Sequence, residues 1–165
     1  MSKGIDVPIL RLNTLFATYL WAGYAYTRYG RIDRIQQEDG KSIIPRAYDS
    51  ASKKYIDVLL NGRGNLSFFD VQPKEKYEGG LFTAEVWICF AVNLETLYPS
   101  VVTERATEYA HDDALKVINK SAFKVTGLVR DYTAFNDYEL VKTGDDMNQY
   151  HLFRFDTEVK YPTKC

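Results

Sequence analysis

The 165-residue chain has only two cysteines and two histidines, and each scarcity excludes something. Cys89 lies in a strongly apolar run and Cys165 is the last residue, so no disulfide framework is expected and the usage fits a reducing compartment. Two cysteines and two histidines are too few soft ligands for a structural zinc site. An excess of either charge is also missing: 21 basic groups face 22 acidic ones, for a formal net charge of −1. That balance gives no bulk attraction to nucleic acid or to an anionic membrane. The longest apolar stretch with few breaks, Leu15 to Tyr26, is too short and too rich in tyrosine to span a bilayer. Met1 to Pro8 has no apolar segment and no cleavage pattern, so no secretory signal is expected.

What is present is ordinary globular composition, 45% hydrophobic and 26% charged, at the length of a single domain. The aromatic content is less ordinary, with 13 Tyr and 9 Phe. Most of the tyrosines fall outside the segments that read as core. Tyrosine joins an apolar face to a polar tip, which suits surfaces buried only on assembly, or the margins of a core.

The spacing predicts a helix over Val7 to Trp21, with Asp6 as N-cap, Pro8 in the first turn and Gly23 as the stop. Ile9, Leu12, Phe16, Tyr19 and Leu20 form its apolar stripe. Alternation then predicts a hairpin whose strands, Arg31 to Gln37 and Ser42 to Ile44, turn at Asp39-Gly40, with Pro45 marking an edge or an end. Asn61 to Asn65 is turn material, Leu66 to Gln72 a short strand, and Pro73 to Gly80 a charged loop. Leu81 to Val92 is the clearest strand, with Phe82, Ala84, Val86, Ile88, Phe90 and Val92 on one wholly apolar face. After the break at Tyr98-Pro99-Ser100, a second helix runs from Val102 to Lys120. Its stripe is Ala106, Tyr109, Ala110, Ala114 and Val117, with Asp113 as a buried charge in need of a partner, Arg130 or Arg154. Strands follow at Phe123 to Tyr132 and Tyr150 to Lys160, separated by a polar loop. The expectation is one α+β domain spanning residues 1–165, an antiparallel-dominated sheet packed against two helices, with an extended hairpin and long loops.

Catalytic and cofactor readings find little support. His111-Asp112-Asp113 are neighbours that point in different directions on a helix, so they read as solvated surface. His151 reads as a packed or edge histidine without a nucleophile beside it. Asn61-Gly62-Arg63-Gly64 lacks the Gly-Lys-Ser/Thr ending of a phosphate loop, and Asp145-Asp146 lacks the calcium-loop pattern. No cofactor, metal or catalytic residue is therefore expected. The one basic-aromatic cluster interleaves Arg28, Arg31 and Arg34 with Tyr24, Tyr26 and Tyr29. It suits stacking on single-stranded nucleic acid or anchoring of a protein interface, and the net charge favours the protein contact. Phe68, Phe69 and Tyr77, in the glycine-rich segment Asn61 to Gly80, are the other interface candidates. Pro73 to Gly80 is expected to be ordered only by a neighbouring subunit.

Three stretches carry a resemblance: Tyr55 to Asn61 followed by Leu66-Ser67-Phe68-Phe69, then Arg105 to Ile118, and Tyr150 to Val159. Together they resemble the small head-to-tail connector proteins of tailed bacteriophages. The likeness is to neck ring proteins of crAss-like phages and, more loosely, to tail terminator and tail completion proteins. The resemblance implies a tail-terminator-like domain and a mechanical role in the virion, with the protein made in the host cytoplasm. Identical subunits would close a ring between portal and tail, touch other neck or tail proteins, and surround passing DNA without sequence-specific contact or a membrane. The rival expectation is a small binding module that takes nucleic acid or a peptide along its sheet edge.

Overall fold

The segment with the strongest alternation becomes the spine of the sheet. In the computed structural model, which describes residues 3–36, 40, 43–49, 51–60, 64–101, 103–135, 141–142 and 150–162, strand β7 occupies Leu81–Val92 as the spacing predicts. The other strands are β1 (Tyr26–Gln36), β2 (Ile43–Asp49), β3 (Lys54–Asp57), β4 (Leu59–Leu60), β5 (Asn65–Val71), β6 (Lys76–Glu78), β8 (Lys124–Val129), β9 (Val141–Lys142) and β10 (His151–Pro162). The main sheet runs β3-β2-β1-β5-β7-β10-β8, and β6 pairs with β7 beyond the end of β5. All its pairings are antiparallel except β1 with β5. β4 and β9 form a separate parallel pair. With helices α1 (Asp6–Tyr19), α2 (Leu94–Leu97) and α3 (Thr103–Ile118), the domain is α+β, its antiparallel-dominated sheet packed against helices.

Two cores follow from the two faces of the sheet. On the first, Ile9, Leu12 and Phe16 of α1 and Ala106, Ala110, Ala114 and Val117 of α3 bury Ala84, Val86, Ile88, Phe90 and Val92. The small residues of α3 let that helix approach the sheet closely. On the second face, Ile32, Ala47, Leu66, Phe68, Cys89 and Ala91 lie under Ala134 and Phe135 of a short 3-10 turn, Tyr132–Phe135. Covering both faces explains why Phe68 and Phe69, adjacent in β5, are each fully buried: Phe69 enters the first core and Phe68 the second. Neither is an interface residue.

Several other expectations are corrected. Asp6 does not cap α1; Ile5 holds the N-cap position without a side-chain bond, and Asp6 instead accepts from the Arg31 Nε–H at 2.9 Å. Tyr19 and Tyr109 leave their helical stripes for solvent. Pro73 to Gly80 is not a loop throughout, because Lys76–Glu78 pairs with β7 through a tight turn at Gly79-Gly80. Their φ values of +62° and +83° are the left-handed pair that a two-residue hairpin needs and glycine supplies. Pro45 neither ends β2 nor lies on the outermost strand. Its carbonyl accepts from the Val58 N–H, so its own nitrogen faces away from β1 and breaks no bond there. The strand expected from Phe123 to Tyr132 stops at Val129. The turn at Asp39, the Asn61-Gly62-Arg63 segment and the loop holding Asp145-Asp146 lie outside the described residues.

One side chain ties three segments together. Buried Asn65 accepts the Asn93 N–H at 2.7 Å and donates its amide to the Ala25 carbonyl at 2.9 Å. Asn93 in turn caps α2, accepting from the backbone of Glu95 and Thr96. Asn65→Ala strands a buried N–H and is expected to lower stability by about 2 kcal/mol. Urea unfolding measures this, and an unchanged midpoint would mean that water replaces the amide.

Candidate functional site

The wing formed by β1, β2 and β3 lies beside α1, and the interface candidates divide there by what they touch. Tyr24 is exposed. Tyr26 is held: its ring packs edge-on against Trp21, its hydroxyl shares a 2.6 Å hydrogen bond with Ser67, and burial raises its pKa. Arg28 sits 5.6 Å over that ring and is exposed, whereas Tyr29 packs against the second core. Arg31 is committed to Asp6. Arg34 is committed to Asp70, which is 1% exposed, through Nε at 3.1 Å and Nη2 at 2.6 Å; Nη2 also donates to Gln72. The basic-aromatic cluster thus divides: Tyr26, Tyr29 and Arg34 are held within the fold, while Tyr24, Arg28 and Arg31 stay exposed. Tyr77 is 59% exposed on β6, its ring 4.9 Å from Phe82.

A second exposed surface lies on the same wing. Tyr48 of β2 and Tyr55 of β3 are register partners, with rings edge-to-face at 5.5 Å, yet they remain 54% and 52% exposed. They border a hollow of about 280 Å³ lined by Asp6, Ile9, Leu10, Gly30, Arg31 and Asp33. Leu10, which also lines the hollow, is exposed. The Asp33 carboxylate beside Tyr55 raises the phenol's pKa. Cross-strand pairing at Tyr48 and Tyr55 was the available signal, and it needed the register of β2 against β3.

The second face holds a row of charges around Trp87. Arg154 lies 3.6 Å over its ring and Arg34 5.7 Å over it, while Asp156 accepts from the Arg154 Nε–H at 2.8 Å. Arg154 and Asp156 are therefore paired with each other. Asp113 is only half-buried, and its partner is neither Arg130 nor Arg154 but the Tyr98 hydroxyl, which donates to it at 2.5 Å. Tyr98 in turn accepts from the Trp21 indole N–H at 2.8 Å. This chain clamps Trp21, a non-glycine residue held at φ +48°. Tyr98→Phe removes the bridge, leaving a buried N–H without its acceptor, and is expected to destabilise by about 1–2 kcal/mol. A thermal melt equal to wild type would show that the clamp carries no stability.

His111 is not solvated surface: it is 5% exposed, and its Nε2 meets the Nε2 of His151 at 2.8 Å. Phe153 packs against both rings. Burial chiefly, then the positive potential of His151 and Arg130, lowers the His111 pKa to about 4; burial also lowers that of His151. Burial raises the Cys89 thiol well above its ordinary value, so it is no nucleophile at neutral pH. Among the described residues no three His, Cys, Asp or Glu side chains converge as a metal site. No described helix is long and apolar enough to cross a membrane. No protein-family model matches the sequence, and no curated protein is significantly similar to it.

Proposed function

We propose that this chain is a structural virion protein, the subunit of a homo-oligomeric ring in the head-to-tail connector of a tailed phage, between portal and tail and around the DNA channel. The resemblance of its three stretches to neck ring proteins suggests that role. The observation that carries the assembly reading is the exposed Tyr48–Tyr55 pair beside its hollow. Aromatic rings with polar tips are enriched among the anchors of protein contacts, and here they sit side by side on paired strands. A ring needs two different patches on each subunit, because head-to-tail contacts are heterologous. The wing supplies one, and the β6–β7 tip, with Tyr77 and Leu81 exposed, supplies a second. Portal and neighbouring neck or tail proteins are the further partners.

The test is sedimentation velocity of wild type beside Tyr48→Ser/Tyr55→Ser. Wild type is expected as a large discrete species and the variant as a folded monomer. A variant that assembles like wild type would remove the wing from the interface. A monomeric wild type with salt-dependent affinity for single-stranded DNA would favour the binding-module reading instead.

A further inference from the structure

The only two histidines of the chain are 40 positions apart, one on α3 and one at the first position of β10, and the fold brings their Nε2 atoms to 2.8 Å. The ring centres are 5.0 Å apart, so nearly the full two ring radii are added to the nitrogen separation. The nitrogens therefore point head-on at each other, along one hydrogen-bond axis, and leave no common point for a cation.

Such a bond holds one hydrogen. One ring donates Nε2–H; the other accepts and carries its own hydrogen on Nδ1. The surroundings decide which. Glu108 Oε1 lies 3.8 Å from His111 Nδ1, and that nitrogen has no hydrogen-bond partner among the described residues. A carboxylate there favours Nδ1–H over a lone pair, so His111 is the acceptor and His151 the donor. Arg130, at the end of β8, occupies Glu108 and adds positive potential at both rings. The groups facing the pair are thus Glu108 from its own helix and Arg130 from across the sheet.

We propose that His111 and His151 form a proton-operated clasp between α3 and the start of β10, closed while the rings share one hydrogen and opened when both Nε2 atoms are protonated. A first proton, entering at His151 Nδ1, leaves the bond intact and makes it charge-assisted. A second must enter at His111 Nε2, where it meets the opposing N–H head-on, and the rings separate. The sign follows from where the protons bind. The closed form holds its imidazoles below the ordinary histidine value of 6.5, His111 at about 4, while separated rings regain ordinary basicity. Closure is therefore complete above about 6.5 and weakens as pH falls toward 4. The clasp works within one subunit and is independent of the assembly reading.

Imidazole nitrogen NMR with amide hydrogen exchange, corrected for intrinsic rates, tests it on the whole chain. In wild type the two rings are expected to titrate as a coupled pair, both depressed, with coupling visible across the Nε2–Nε2 bond. The opening constant read at His151, Phe153 and Val92 should rise by up to about tenfold per pH unit in the acid range, while Thr157 to Tyr161 stays protected. His111→Gln and His151→Gln, each removing one titrating ring, should flatten that acid dependence. Two independent titrations near 6.5, or the same acid dependence in the variants, would overturn the clasp.

Discussion

Arg34→Met is expected to destabilise the domain by about 3 kcal/mol, because it leaves the Asp70 carboxylate in the interior without its guanidinium. Asp70 lies mid-sheet on β5, opposite Trp87, and is 1% exposed. Gln72 Nε2, at 3.4 Å, is too weak a substitute for a bidentate cation. For a domain of this size the loss corresponds to a fall in melting temperature of roughly 10 °C. The double variant Arg34→Met/Asp70→Leu removes both charges and should recover most of it, since an apolar pair of similar shape avoids the desolvation cost. Thermal unfolding of the single and double variants separates the cases. Equal losses in both would show that Arg34 contributes through packing on Trp87 and not by pairing a buried charge.

Phe90→Ala should cost more, about 4 kcal/mol, the upper part of the range for an aromatic truncated in a core. Its ring meets Phe16 of α1, Trp21, and Phe153 and Phe155 of β10, with centroid separations from 4.8 to 6.4 Å. Helix, chain bend and central strands share that one side chain, so no single neighbour can collapse into the space. Urea unfolding gives the number; a loss below about 1 kcal/mol would mean that the cluster repacks freely.

These residues also show what was readable in advance. Phe90 was legible because twelve alternating residues leave one geometry for the strand, and β7 occupies the expected positions. The stripes of α1 and α3 were legible at their small and aliphatic positions but not at Tyr19 and Tyr109, whose polar tips make exposure inexpensive. Phe68-Phe69 carried a signal that was misread: consecutive apolar residues mark a strand covered on both faces as much as a sticky loop. His111 also had one, since Ala114 and Ile118 lie three and seven positions on along the same helical face and are buried. Its partner His151 could not be read, because the contact exists only once β10 lies beneath α3. Likewise the Tyr48–Tyr55 surface depends on the register of β2 and β3, and the parallel pairing of β1 with β5 on the order of strands in space.

The proposed ring closes through contacts that include the tyrosine-bearing wing of each subunit. Negative-stain electron microscopy of the purified wild-type protein tests it most directly. Annular particles of uniform diameter with an open centre are the predicted result, lost in Tyr48→Ser/Tyr55→Ser. Isolated particles of single-subunit size at every protein concentration would contradict it.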